Sequence, residues 1–360
     1  MNECFKGEMR VPVNRAHVKH LGRTWIVDDV LYLSLSGSGI EFEYEGKGLT
    51  LTFVGGIRTE QSTKYFCSRM GVYIDGERVI DHMITEKEMT LRIAGSPTKK
   101  KSVVRIVKLS ECQISLAGIK ALDVGEDESV RPTPAKAHKI EFIGDSLTCG
   151  FGVDDENPVH LFQTETEDVT KSFAYKTAEA LDVDYSMFSL SGFGIVSGGT
   201  TPRKKVKVLI PDYYEFMGTC HGDAFPGQPG IEKISWDFSL FQPDAVVINA
   251  GTNDYSYCRT RSELQQEFRD GYTAFLKMVR RNNPAAKIFC IMGMAGAELF
   301  PRICEAVQNY VAETKDDNIT TLRLSRPPGF KGAAERHPTA AAHTETAGEL
   351  IPFIRSTMGW

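Results

Sequence analysis

The chain has 360 residues, 41% hydrophobic and 25% charged, with a formal net charge of −5. This is ordinary usage for a globular protein with a core of normal size, and the length suffices for two domains. The mildly acidic balance gives no basis for nucleic acid or an anionic membrane as a partner, since both call for basic patches.

In chain order, residues 20–122 repeat with period two. Leu31, Leu33 and Leu35 alternate with Tyr32 and Ser34, while Ile40, Phe42 and Tyr44 alternate with Glu41, Glu43 and Glu45. Leu49, Leu51 and Phe53 alternate with Thr50 and Thr52. Such alternation buries one face of a strand and wets the other. Gly37-Ser38-Gly39 and Gly46-Lys47-Gly48 read as turns, and Asp75-Gly76 as a hairpin. Further strands are expected at 89–93, 103–109 and 114–119. Many short strands with glycine turns predict an all-β sandwich or jelly-roll domain over residues 1–123. Residues 124–138 are largely polar, hold two prolines and are expected to be a linker.

From residue 139 to 360 the period changes. Apolar runs at 140–143, 185–190, 245–249, 287–292 and 320–324 read as strands buried on both faces. Amphipathic helices lie between them. Ser172 caps one carrying Phe173, Thr177 and Leu181. Ser262 caps another carrying Leu264, Phe268, Tyr272 and Phe275, which Pro284 ends. A third starts near Pro301, with Ile303, Val307, Tyr310 and Val311 inward. Alternating β and α predicts an α/β domain with a parallel sheet covered on both sides.

The eight cysteines show no C-x-x-C spacing, so zinc and redox readings fail. The first residues include no apolar run of the signal-peptide kind, and no stretch reaches membrane-spanning length. A cytoplasmic protein with free thiols is expected.

Three predicted strand ends carry unusual residues. Gly144-Asp145-Ser146 follows the first, and a lone triplet of this kind reads as a turn or a cap. The second is followed by Gly192, able to offer a bare backbone N–H. The third is followed by Gly251-Thr252-Asn253-Asp254, where Asn253 can present its amide. A hydroxyl with several N–H donors is what an esterase needs to hold a tetrahedral oxyanion. A base is also required. Of eight histidines, His337 stands out, because Pro338 holds its backbone extended just ahead of the last helix.

These blocks resemble, in order and spacing, those of the SGNH (GDSL-type) hydrolases. The resemblance implies a flavodoxin-like three-layer sheet, Ser146 as nucleophile, His337 as base, and an oxyanion hole from Ser146, Gly192 and Asn253. The stretch from His20 to Gly56 is similar to the N-terminal sandwich of carbohydrate esterase family 2, which implies O-acetylated sugars as substrates. Two positions depart from the pattern. Ala334 stands where many members have an aspartate, and Arg336 where that family often has a tryptophan. The resemblance to carbohydrate esterase family 2 implies a Ser–His dyad with a backbone carbonyl orienting the histidine, and Glu335 is a second candidate for that role.

The function so implied is release of acetyl groups from manno- or xylo-type oligosaccharides through an acetyl-serine. No cofactor or metal is expected, Asp145 and Asp254 being read as hydrogen-bonding the turns that carry Ser146 and Asn253. Competing readings are a lipid or thioester hydrolase of the same fold and an inactive carbohydrate-binding protein. The long segment 198–236 is expected to cover the rim of the site. Its Tyr213, Tyr214, Phe216 and Trp236 are candidates for stacking on sugars or for packing the loop. Tyr255 and Tyr257 are expected to line the pocket, and Arg203-Lys204-Lys205 to be a solvated face.

Overall fold

A computed structural model of the protein describes residues 8–61, 66–94 and 98–360. Cys4 lies outside the described residues. The chain divides into two compact units.

The first unit holds the described residues up to Ala135, with Gln163–Glu165 and Thr219–Ile234. Its strands are β1 (Glu8–Val11), β2 (Lys19–Leu21), β3 (Thr24–Val27), β4 (Val30–Leu33), β5 (Gly39–Gly46), β6 (Gly48–Gly55), β7 (Ser68–Ile74), β8 (Glu77–Ile84), β9 (Glu88–Ala94), β10 (Lys100–Lys108), β11 (Ala117–Gly125) and β12 (Ser129–Pro132). They form two antiparallel sheets, ordered β3-β4-β11-β6-β9 with β1 on β11, and β12-β5-β10-β7-β8 with β2 on β5. The alternating residues Leu31, Leu33, Ile40, Phe42, Leu49, Leu51 and Phe53 all enter the shared core. Asp75 and Gly76 take φ of 51° and 87°, the left-handed pair that a tight two-residue hairpin requires.

Two expectations change here. The stretch 124–138 contains the end of β11 and all of β12, which pairs with β5. Glu128 explains this, because its carboxylate accepts from the Tyr44 hydroxyl at 2.5 Å and from the Lys47 N–H at 2.7 Å. The segment 198–236 is divided, since Thr219–Ile234 belongs to this β unit. Phe225 stacks 4.0 Å from Tyr32 and 5.7 Å from Trp25, which covers a strand face that alternation assigned to water.

The second unit comprises Lys136–Phe162, Thr166–Gly218 and Ser235–Trp360. Five parallel strands, β13 (Lys139–Gly144), β14 (Asp184–Ser189), β15 (Ala245–Asn249), β16 (Lys287–Met292) and β17 (Ile319–Arg323), lie in the order β14-β13-β15-β16-β17. This is the flavodoxin-like order, whose topological switch point lies between β13 and β15. The helices are α1 (Ser146–Cys149), α2 (Phe173–Leu181), α3 (Ile210–Tyr213), α4 (Thr252–Cys258), α5 (Ser262–Asn282), α6 (Phe300–Thr314) and α7 (Ala340–Met358). Helices α2 and α7 pack together, as do α5 and α6. On β16, Phe289 meets Phe353 of α7 while its neighbour Cys290 meets Tyr272 of α5, so helices cover both faces. Ser172 caps α2 by accepting the Tyr175 N–H at 3.2 Å. Ser262 does not cap α5. It is the first helical residue, and Arg261 precedes it as an N-cap without a side-chain hydrogen bond. Among the described residues no helix is long and apolar enough to cross a membrane.

Candidate active site

The strand β13 ends in a turn that only glycine permits. A Cβ on Gly144 would lie 2.1 Å from Thr148 Oγ1 and 2.9 Å from the Asn249 carbonyl oxygen. Asp145, 1% exposed, then caps α1 by accepting the Leu147 N–H at 3.1 Å. Ser146 is the first residue of α1 and half-buried. As a first helical residue its N–H has no intrahelical acceptor. The side chain thus stands beside a backbone donor at the carboxyl end of β13, next to the switch point.

Gly192 follows β14 with φ +78°, and nothing lies within 4 Å of where a Cβ would be. Its N–H has no protein acceptor among the described residues. The next residues are clasped from α4. The carboxylate of Asp254, fully buried, accepts the N–H groups of Ile195 (2.9 Å), Val196 (2.7 Å) and Ser197 (3.1 Å). Burial pushes this carboxyl up to about 6, while the N–H groups pull the other way. Asp254 therefore holds the loop after Gly192 as well as its own N–H in the turn that carries Asn253.

Asn253 ties the blocks together. Its Nδ2 donates to Asp145 Oδ2 at 3.1 Å and to the Phe193 carbonyl at 2.8 Å. Asp145 thus caps α1 with one oxygen and receives Asn253 with the other.

His337 closes a one-turn 3-10 helix, Ala334–Arg336, in which Glu335 and Arg336 take φ of 50° and 62°. This left-handed turn swings the imidazole back over its own start. Nδ1 lies 3.2 Å from the Ala334 carbonyl oxygen. A carbonyl can only accept, so Nδ1 carries the hydrogen and Nε2 the lone pair. Burial lowers the His337 pKa below 6.5, and the hydrogen bond to Ala334 opposes that shift. The ring rests 4.3 Å from that of Phe151, which stacks at 3.8 Å on Phe162. Phe151 in turn gives its N–H to the Ser146 carbonyl at 3.2 Å. Ala334 and Glu335 donate to the Asp155 and His160 carbonyls, and Glu335 Oε1 accepts the Phe162 N–H at 3.0 Å. The turn bearing His337 is thereby stitched to the segment that follows Ser146. No hydrogen bond joins Ser146 to the imidazole, whose Nδ1 faces the Ala334 carbonyl.

A GDSL-like lipase/acylhydrolase family match covers residues 142–344, more than half of the chain, and a carbohydrate esterase 2 N-terminal match covers 20–134. The chain belongs to the GDSL-like lipase/acylhydrolase family. Its two-part arrangement is that of the carbohydrate esterases of family 2. An acetylxylan esterase / glucomannan deacetylase of Cellvibrio japonicus is 33% identical over 279 residues, 71% of this chain and 69% of that protein. Cellulase/esterase CelE of Acetivibrio thermocellus is 27% identical over 330 residues, 90% of this chain but only 37% of CelE. Among solved structures, a family two carbohydrate esterase from Clostridium thermocellum in complex with cellohexaose matches with TM-score 0.80 and 24% identity, covering 95% of this chain and 99% of that one.

In this family setting several residues gain or lose a role. Phe151, Phe162 and Asp155, which support the His337 turn, carry no motif that would mark them in sequence. Tyr214 is fully buried and gives its hydroxyl to Glu141 at 2.6 Å, so it packs the core. Trp236 and Tyr257 are buried to 6% exposure, and Tyr257 bonds Glu267 at 3.1 Å. Tyr255 and Tyr213 are half-buried, the latter 5.7 Å from Phe193 beside Gly192. His343 is a neutral core residue, its Nδ1 accepting the Phe173 N–H at 3.1 Å, with burial lowering its pKa to about 3.

Proposed function

We propose that the protein is a serine esterase that removes O-acetyl groups from acetylated oligosaccharides of the manno or xylo type. The observation carrying this reading is the His337 turn, with Nδ1 on the Ala334 carbonyl and its ring on Phe151, packed against the segment that follows Ser146. Nε2 of His337 takes the proton from Ser146 as its oxygen attacks the acetyl carbonyl. The oxyanion is received by the N–H groups of Ser146 and Gly192, and by the Asn253 amide once it turns one N–H away from Asp145 or the Phe193 carbonyl, which take both of its hydrogens here. The imidazolium then protonates the leaving sugar oxygen. Water, deprotonated by the same nitrogen, hydrolyses the acetyl-serine.

The names of the relatives support a sugar ester as substrate. The seven described cysteines are free thiols, which supports a reducing compartment and hence oligosaccharides rather than bulk polymer as substrates. The test is acetate release from mixed acetylated manno- and xylo-oligosaccharides, followed by mass. Wild type should release acetate and Ser146→Ala should not. Wild type that binds these sugars without releasing acetate would make it a binding protein instead.

One observation favours a second reading, hydrolysis of longer acyl esters. Val159 and Leu161 are 76% and 79% exposed on the segment leading into Phe162. Strong preference for long over short acyl chains would replace the acetyl-sugar reading.

A further inference from the structure

The carboxyl ends of β16 and β17 open into a cavity of about 670 Å³ lined by Gly293, Gly296, Glu298, Arg323 and Arg326. A second, of about 240 Å³, shares Gly296, Glu298 and Arg326 and adds Thr252, Tyr255, Ser256, Arg259 and Lys331. The larger volume is in the range of roughly 300–1,000 Å³ usual for small-molecule sites. Thr252 adjoins Asn253, so the groove begins beside the residues already described. Strand spacing of about 4.8 Å puts β16 and β17 about 10 and 14 Å from β13, along the same edge as Ser146.

Four cations surround this groove and one carboxylate, Glu298, stands among them. None of the four makes an ion pair among the described residues, whereas Arg269 and Arg302 of α5 and α6 pair with Asp270 and Glu305. Three of them are positioned instead by rings and backbone, and the fourth, Arg323, lies exposed at the end of β17. Arg326 lies over Phe330 at 4.2 Å and donates to the Ala295 carbonyl at 3.0 Å, and Lys331 lies 5.3 Å from the same ring. Arg259, at the end of α4 with the unusual φ of 44°, is held over Tyr255 at 5.1 Å. The arrangement leaves four exposed cations without carboxylate partners, three of them held by rings or backbone, on a chain whose net charge is −5. Guanidinium forks match carboxylate and phosphate oxygens.

We infer that this groove is a subsite for an anionic substituent, so that the preferred substrate is an acetylated oligosaccharide bearing a carboxylate or phosphate on a sugar beyond the acetylated one. This rests on the esterase reading above. The subsite acts on substrate binding and takes no part in the chemistry.

The test compares kcat/KM for acetate release from three substrates: a neutral acetylated xylo-oligosaccharide, the same backbone with a glucuronic acid branch, and an acetylated sugar phosphate. Wild type should favour at least one anionic substrate about tenfold, mostly through KM, and the preference should shrink as salt is raised. Whichever substrate is favoured identifies the anion. In the double variant Arg323→Gln, Arg326→Gln the ratio should fall to near one, whereas Glu298→Gln should raise it. Equal kcat/KM for all three substrates, or a preference that survives the double variant, would overturn the subsite. Calorimetric binding of the same three sugars to Ser146→Ala, with and without the double substitution, reads the contrast without turnover. An esterase reading that fails is thus separable from a subsite that fails.

Discussion

The Nδ1 atom of His337 lies 3.2 Å from the backbone carbonyl oxygen of Ala334. The resemblance to SGNH hydrolases implied an aspartate at position 334; here the main chain of that same residue holds the imidazole. A carbonyl fixes the tautomer as a carboxylate does, but contributes no full negative charge to an imidazolium.

This arrangement has a pH consequence. Burial is the larger influence on His337 and lowers its pKa, so the neutral base persists on the acid side of 6.5. The acid limb of kcat/KM should therefore have an apparent pKa below 6.5 and level off before neutrality. An acid limb centred above 7 would show that another group titrates, or that a carboxylate raises the histidine.

Asn253→Ala should lower kcat roughly 100-fold, the loss usual for one oxyanion donor. Asn253 also bonds Asp145 and Phe193, so melting temperature must be measured alongside. Full activity of this variant, with Ser146→Ala inactive, removes Asn253 from the oxyanion hole.

Asp254→Asn keeps the shape of the side chain but turns one acceptor oxygen into a donor facing the N–H groups of residues 195–197. The expected cost is about 3 kcal/mol of stability, with loss of activity because the loop after Gly192 is released. An unchanged denaturant midpoint would show that the clasp is not needed.

His343 should weaken the protein in acid. Its pKa is about 3 in the folded chain, against about 6.5 when unfolded, so the unfolded chain binds the extra proton between those values. Its contribution is complete above pH 6.5 and is lost as pH falls toward 3. His343→Gln retains an acceptor for the Phe173 N–H and should remove about 1.5 kcal/mol of the decline between pH 6.5 and 5. Asp254, with its raised value, works in the opposite direction, and comparing the two proteins at each pH cancels it. Parallel stability curves would contradict the assignment.

Much of the architecture was legible because it depends on neighbours in the chain. Period-two runs such as Ile40, Phe42 and Tyr44 mark half-buried strands, and doubly apolar runs such as 245–249 mark strands covered on both sides. Gly144, Asp145 and Ser146 read as a strand end because turn and cap chemistry is local. So did the capping of α2 by Ser172, a hydrogen bond three residues long. The misplaced cap at Ser262 is a shift of one position at a helix end, where local signals are weakest.

What the chain order could not disclose is set by segments that meet only when folded. The grip of Asp254 on residues 195–197 spans nearly sixty positions, and the bond from Phe162 to Glu335 spans 173. The strand at 129–132 exists because Glu128 finds Tyr44, and Thr219–Ile234 joins the β unit because Phe225 finds Tyr32 and Trp25. Local preference decides which element a stretch becomes. Burial of particular side chains against distant partners decides where a catalytic group points, and that free energy exists only in the packed molecule.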